Sequence, residues 1–472
     1  MDTGRMLARV LMCAVLTCSL FAAPAARAGD EARPNIVVIL TDDQRWDTLW
    51  AMPTVESELA GKGVTFTKAF VVNPLCCPSR ASILTGQYSH STGIYRNDPP
   101  HGGFEMFDDR STIATWLDDA GYQTMLVGKY LNAYGDEDYK PPGWDVWNAW
   151  LTAPPTHIYY DYRLTSEGGP VSYGTAPEDY STDVFATKAV DFINGADPAN
   201  PLFLYFPVNA PHDTGRDLPP SPAPRHFGAF DDLEPFRPPS YNEANMNDKP
   251  SNIRNQPLMR AADSANMDLV RRRQLESLLA VDDAVGSILQ ALADTGRLEN
   301  TMIVFTSDNG FFWGEHRKSG KVLAYEESIR VPYIVRYDPL TGGSPSSSDD
   351  LVLNIDLAPT FAELAGTDAP RVEGESLLPI LGDDAAEWRS QFLVEGIANR
   401  VSYCALRKVG RIYIYWANRE DEYYDLTDDP YEMKSVADKP GIASKIPRMR
   451  RRLAELCHPA PPGMKIPHTW RS

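Results

Sequence analysis

Basic residues are in short supply in this 472-residue chain: 45 Lys and Arg stand against 64 Asp and Glu, a formal net charge of −19. A field of that sign argues against a nucleic-acid partner and against long-range capture of polyanions, although single basic side chains remain able to hold one anionic group. Cysteine is as sparse, at six. Cys13 and Cys18 fall in a leader described below, and Cys76, Cys77, Cys404 and Cys457 are too few for a disulfide framework in a chain this long. No spacing among them suits zinc, because an adjacent pair cannot chelate as C-x-x-C does. Long apolar runs are missing too: none reaches the roughly 20 residues that a membrane helix needs. No repeat period and no low-complexity tail is present. With 43% hydrophobic and 23% charged residues the composition is that of a globular enzyme. The length suggests roughly two or three structural units.

Near the N-terminus, Arg5 and Arg9 flank the start of an apolar stretch over residues 10–23. Ala26-Arg27-Ala28 then supplies the small-x-small pattern at which a signal peptidase cuts. Residues 1–28 read as a signal peptide, which predicts a mature protein starting at Gly29, secreted or periplasmic. In an oxidising compartment Cys404 and Cys457, both in the C-terminal part, predict a disulfide, with two inert buried thiols as the alternative.

Four short apolar runs read as strands buried on both faces of a parallel sheet: 35–40, 124–127, 202–206 and 302–305. Helical patterns lie between them, most clearly Leu278, Val281, Val285, Ile288, Leu289 and Leu292, with Gly296 as a stop. Alternation of this kind predicts an α/β domain over 29–385, a large mostly parallel sheet flanked by helices. Residues 386–472 predict a smaller C-terminal α+β subdomain, with short strands at 412–415 and 423–426 and a terminal helix over 445–456. Each main strand delivers polar residues at its end: Asp42 and Asp43, Lys129, His212, then Asp308 and Asn309. Open α/β sheets bind ligands just beyond the carboxyl ends of their strands, so these residues predict one active site. The Pro- and Asn-rich segment 212–258 is either a binding loop or a surface insertion.

Leu75-Cys76-Cys77-Pro78-Ser79-Arg80 followed by Leu84-Thr85-Gly86 places Cys76 at a helix start, with Pro78 in the first turn and Gly86 at the far end. Its free amides favour an anion. This segment resembles the C-x-P-S-R signature of the sulfatase family. Similar stretches follow in order: Gly128-Lys129, Ala210-Pro211-His212, Ser307-Asp308-Asn309-Gly310, Gly314-Glu315-His316, Gly320-Lys321 and Arg330-Val331-Pro332. The resemblance implies an alkaline-phosphatase-like fold and oxidation of Cys76 to formylglycine by a formylglycine-generating enzyme. It also implies Ca²⁺ held by Asp42, Asp43, Asp308, Asn309 and the residue at 76. An all-oxygen set of this kind suits a hard cation by itself. In the implied chemistry one hydroxyl of the hydrated aldehyde attacks sulfur, and the other re-forms the aldehyde and expels sulfate. Lys129 and Lys321 would bind the sulfate oxygens, Arg80 would hold the nucleophile, and His212 would protonate the leaving alcohol.

One position departs from the family pattern. The histidine commonly found two residues after the strand-end lysine is Leu131 here. That leaves Lys129, His90 and His316 as candidates to take the second proton, with Asn132 binding substrate or orienting one of them. The run 128–132 is similar to the N-acetylglucosamine-6-sulfatase branch, which implies a sulfated carbohydrate substrate, with 6-O-sulfated hexosamine ahead of a simple aryl sulfate. Trp144, Trp147 and Trp150 are either sugar-stacking faces or core. The arginine runs 271–273 and 448–452 are compatible with polyanion binding but read more simply as solvated helix faces, and Asp282 and Asp283 read as structural. The competing readings are a phosphodiesterase or phosphonate hydrolase built on the same metal edge, and a secreted glycan-binding protein without catalysis.

Overall fold

In the computed structural model, residues 33–152, 157–215, 218–382 and 387–470 are described. The expected signal peptide, residues 1–28, lies outside them. The main sheet has eight strands: β1 (Asn35–Thr41), β2 (Val64–Phe70), β3 (Gln123–Gly128), β4 (Val146–Ala149), β5 (Leu202–Pro207), β6 (Thr301–Ser307), β7 (Tyr333–Arg336) and β8 (Ser346–Leu353). Their spatial order is β8-β2-β7-β6-β1-β5-β3-β4. β1 lies at the centre, parallel to β5 (Ile36 opposite Phe203) and to β6 (Asn35 opposite Thr301). Only β7 runs antiparallel, between β6 and β2.

The continuous apolar runs follow from burial on both faces. Ile36, Val38 and Leu40 point into one core layer, shared with α1 (Cys76–Thr85), α2 (Ile113–Asp119) and Phe361 of α5 (Leu357–Ala365). Val37 and Ile39 point into the other, against Phe185 of α3 (Ser181–Gly195) and Val281, Val285 and Ile288 of α4 (Ala261–Asp294). Each such side chain contributes about 1.5–3 kcal/mol of burial. Trp144, Trp147 and Trp150 belong to these layers, each at most 7% exposed, so they are core and no sugar platform.

A four-stranded antiparallel meander follows: β9 (Gln391–Ala398), β10 (Val401–Lys408), β11 (Arg411–Trp416) and β12 (Asp421–Asp425). Its alternating residues divide between two neighbours. Val394, Tyr403, Ile414 and Trp416 pack on Phe312, Leu323 and Tyr325 of the main body. Leu393, Leu406, Tyr413 and Tyr423 pack on Met449 and Leu453 of α6 (Ile446–Leu456). Cys404 of β10 and Cys457 after α6 form the expected disulfide. Among the described residues no helix is long and apolar enough to cross a membrane.

The first arginine run is not a solvated face. Arg273 pairs with Glu276 and lies 3.8 Å over the Phe227 ring, while Arg271 donates to Glu234 O and Arg272 to Asp231 O. The run fastens the 218–258 segment to α4. Asp282 accepts from the amides of Thr54 and Val55, a structural role as expected.

Candidate active site

Backbone geometry at the strand ends brings the acidic and basic residues together. β1 leads into Asp42 and Asp43, and Asp43 adopts a left-handed φ of 75°, a region that Asp tolerates better than most residues. Its amide donates to Asp308 Oδ1 at 3.2 Å, tying the ends of β1 and β6. β3 ends in Gly128, where φ is 126° and an added Cβ would lie 2.1 Å from Pro207 O. Only glycine fits there, and the turn it makes sets Lys129 beside Asp42. Every residue of α1 is buried. Leu75 precedes it in extended conformation and Gly86 closes it at φ 68°. Cys76 thus stands at the helix start with Arg80 one turn on, over the same edge.

The cluster is tight. Asp42, Asp43, Cys76 and His212 offer ligand atoms within 4.8 Å of one another. Cys76 Sγ lies 3.4 Å from Asp42 Oδ1 and 3.1 Å from Lys321 Nζ. Lys321 also bonds Asp43, and Lys129 bonds Asp42. Arg80 donates through Nε to Asp308 Oδ2 (2.8 Å) and through Nη1 to the Lys129 carbonyl (2.6 Å), while its Nη2 lies 3.3 Å from Asp42 Oδ2 in poor alignment. Asn309 Nδ2 donates to Asp43 Oδ1 at 2.6 Å. His212 Nδ1 is 2.6 Å from the Asp213 carbonyl, which fixes the ring and leaves Nε2 3.7 Å from Asp43 Oδ2.

Electrostatics follow from this crowding. Burial works to raise the Asp42 carboxyl, but Lys129, His212, Arg80 and Lys321 outweigh it and hold it far below the usual carboxylate range. Burial, reinforced by Asp42, lifts Asp308 to about 6 against Arg80 and Lys129. Burial and then Asp42 push the Cys76 thiol far up, so it is a poor source of thiolate. Burial opposes the charged forms of Lys129 and Lys321, but their carboxylate neighbours prevail and raise both. Three carboxylates and an amide at one point are a hard-oxygen donor set, and the Asn309 Oδ1 atom is buried without a partner. The residues therefore fit a Ca²⁺ or Mg²⁺ ion.

Of the three candidates for the second proton, Lys129 alone touches this cluster. His90 is held between Glu395 (2.9 Å) and Glu373 (3.3 Å). His316 is fully buried, with Nδ1 2.8 Å from Glu243 Oε2 and its ring against Tyr325. Leu131 is core. Asn132 has a buried Oδ1 without a hydrogen-bond partner.

Sequence reasoning missed the cavity beside Lys321, of about 570 Å³, which Gln256, Met259, Arg317, Lys318 and Asn399 also line. Arg317 spends its donors on the carbonyls of Glu243, Ala244 and Gln256, with no carboxylate partner among the described residues. Burial lowers Lys318 to about 8. The signal available was their place between Gly314 and Lys321. The 218–258 segment reaches this wall through Gln256, and Tyr241 bridges to Glu315.

A mostly parallel sheet carrying an acidic edge, a buried helix-start residue and facing lysines is the arrangement of an alkaline-phosphatase-like hydrolase. A family model for sulfatases matches residues 34–367, and one for the C-terminal part of N-sulphoglucosamine sulphohydrolase matches 314–458. The chain belongs to the sulfatase family. It is 35% identical over 386 residues to N-acetylglucosamine-6-sulfatase of Homo sapiens, covering 78% of this chain and 68% of that one. It is 33% identical to the extracellular sulfatase SULF-1 homolog of Drosophila melanogaster, but spans only 34% of that protein's length. A solved structure in complex with its substrate D-glucosamine-2-N,6-O-disulfate superposes with a TM-score of 0.79 at 27% identity, covering 90% of this chain and 97% of the other.

Proposed function

We propose that this chain is a secreted or periplasmic exo-acting sulfatase that removes sulfate from a short sulfated sugar, a 6-O-sulfated hexosamine first. In this reading a formylglycine-generating enzyme converts Cys76 to formylglycine, and Asp42, Asp43, Asp308, Asn309 and the residue at 76 would hold Ca²⁺. One observation carries it. Cys76 lies fully buried between the metal-type carboxylates on one side and the Lys321 ammonium, 3.1 Å away, on the other. The signature arginine, Arg80, closes the site from behind through Asp308.

When present, the hydrated aldehyde and Ca²⁺ supply a nucleophilic hydroxyl and a polarised sulfate. The rest falls to ordinary side chains. Lys129 and Lys321 bind sulfate oxygens and stabilise charge that builds on them in the transition state. Arg80 holds Asp42 and Asp308 as a rigid pair. His212, with Nδ1 fixed by the Asp213 carbonyl, presents Nε2 to protonate the departing alcohol. Of the three candidates for the second proton only Lys129 lies in the cluster, and because Asp42 holds it as an ammonium it serves there as a donor to sulfate rather than as the base.

The sugar fits the cavity beside Lys321, where Arg317 and Lys318 carry charge without a carboxylate partner among the described residues and Gln256 and Asn399 offer hydrogen bonds. Support for the substrate class comes from the relatives named for glucosamine 6-sulfate chemistry. The test compares kcat/KM on 6-sulfated N-acetylglucosamine, a generic aryl sulfate and an internal-chain sulfated polysaccharide. The monosaccharide should lead. An untouched sugar beside a fast aryl ester would refute the substrate, and no ester turnover by protein whose Cys76 peptide carries the aldehyde would refute the activity.

A further inference from the structure

The second arginine run is only partly a solvated helix face. Arg448 and Arg452 of α6, with Lys445 just before it, meet Lys408 and Arg411 from the β10–β11 hairpin around a cavity of about 560 Å³. Among the described residues no carboxylate lines it. Among the same residues Lys408, Arg411, Lys445 and Arg448 make no ion pair, and Arg452 reaches only Glu455, outside the cavity, at 2.7 Å. The positive charge is therefore left uncompensated, in a chain whose formal net charge is −19. Its effect is visible on Lys408: burial first, then Arg448, Arg411 and Arg452, lower that ammonium.

A second observation points to a ligand. Tyr423, 0% exposed, stands in the cavity wall with its hydroxyl unpartnered, and Arg452 Nε is buried without a partner as well. Such groups normally find a partner when buried. The cavity also sits apart from the reaction centre. Its residues belong to the α6 face of the small sheet, whereas the opposite face packs on the main body.

We propose that this cavity is an anion-binding exosite that takes sulfate groups of a sulfated polysaccharide, tethering the enzyme to the polymer through a surface away from catalysis. Three planar guanidinium groups, each able to bridge two oxygens of a tetrahedral, weakly hydrated sulfate, suit it better than ammonium alone would. The Tyr423 hydroxyl adds a neutral donor for a sugar oxygen. A long rod of nucleic acid would run onto the acidic remainder of the surface, while a flexible sulfated chain can touch this one patch. The choice of ligand class rests on the sulfatase reading above; the existence of the site does not.

Heparin serves as the probe. The intact protein should be retained on immobilised heparin at low salt and elute as salt rises. Arg411→Gln/Arg448→Gln/Arg452→Gln should elute much earlier, with the slope of log affinity against log salt shallower by roughly one for each guanidinium removed. Arg448→Glu alone changes an exposed side chain and should show the same direction if the triple variant folds poorly. Turnover of a small aryl sulfate should be the same in all three proteins. Equal elution of wild type and variants overturns the proposal, as does failure of the wild type to bind. Preferential competition by duplex DNA of matched charge overturns the ligand class. Retained heparin binding in a protein that hydrolyses no sulfate ester would refute the proposed activity and leave the exosite standing.

Discussion

Cys76 and Cys77 are both fully buried, yet their surroundings differ. Cys77 packs in the core with Ile83 and Leu84, and its amide donates to Asn97 Oδ1 at 3.0 Å. Cys76 faces Asp42 and Lys321. Cys76→Ala should therefore abolish turnover with little change in stability. Cys77→Ala should keep most of the activity at a cost of about 1–2 kcal/mol in unfolding free energy. Equal loss of turnover in the two variants would rule out Cys76 as the modified residue. The oxygen cluster makes a separate prediction. Ca²⁺ added to chelator-treated protein should raise Tm, because it binds the folded site alone. Asn309→Leu, which removes the unpartnered oxygen and keeps the size, should shrink that rise. A Tm indifferent to Ca²⁺ in the wild type would show that these acids hold no such cation.

The elements differ in how openly the sequence announces them. β1, β3, β5 and β6 were legible because burial on both faces leaves continuous apolar runs, and each came out within two residues of its expected ends. β8 was not: it begins Ser-Ser-Ser-Asp-Asp at a sheet edge, where exposed polar residues carry no pattern. α4 starts at Ala261, well before the periodic stretch, because its N-terminal half packs on the 218–258 segment through arginines set over Phe227 and Phe236 rather than through an apolar stripe. The candidate site was legible since each of its residues follows a readable strand or sits in a compact motif. The basic cavity was not, because α6 and the β10–β11 hairpin meet only through the tertiary fold. The short helix Ser89–Thr92 shows what such meetings do for stability. It is pinned by His90 to Glu395 of β9 and to Glu373, and Glu395 also accepts the His90 amide. Burial would lower the His90 pKa, but these two carboxylates raise it from 6.5 to about 10. A histidine raised in the folded state stabilises in full below its unfolded pKa and loses that contribution as pH climbs through the folded one. The stability difference between wild type and His90→Gln, measured by urea unfolding, should be largest below pH 6.5 and shrink steadily toward pH 10. A difference that grows with pH would mean the ring is neutral and the pairing misread.

At the scale of the whole molecule, the small sheet is attached twice, once by an apolar face and once by a covalent link, and the two attachments should fail separately. Val394, Tyr403, Ile414 and Trp416 bury one face against the main body, within reach of the segment that carries Lys321. The disulfide fastens only the outer layer, joining β10 to the end of α6 across 53 residues of chain. Closing a loop of that length in the unfolded chain contributes about 4 kcal/mol in the chain-entropy account, an upper figure because unfolded chains retain structure. Cys404→Ala/Cys457→Ala should accordingly lower the urea midpoint substantially. The apolar face is untouched, so kcat/KM on an aryl sulfate at about 25 °C should stay within about twofold of wild type, a change of under about 1 kcal/mol in transition-state binding. Heparin retention should weaken along with stability, since Arg448 and Arg452 ride on α6 while Lys408 and Arg411 stay with the sheet. Catalysis and tethering then come apart in one variant. If turnover instead collapsed in step with the midpoint, the link would be shaping the active site through the sheet, and the division between an inner catalytic face and an outer binding face would be wrong.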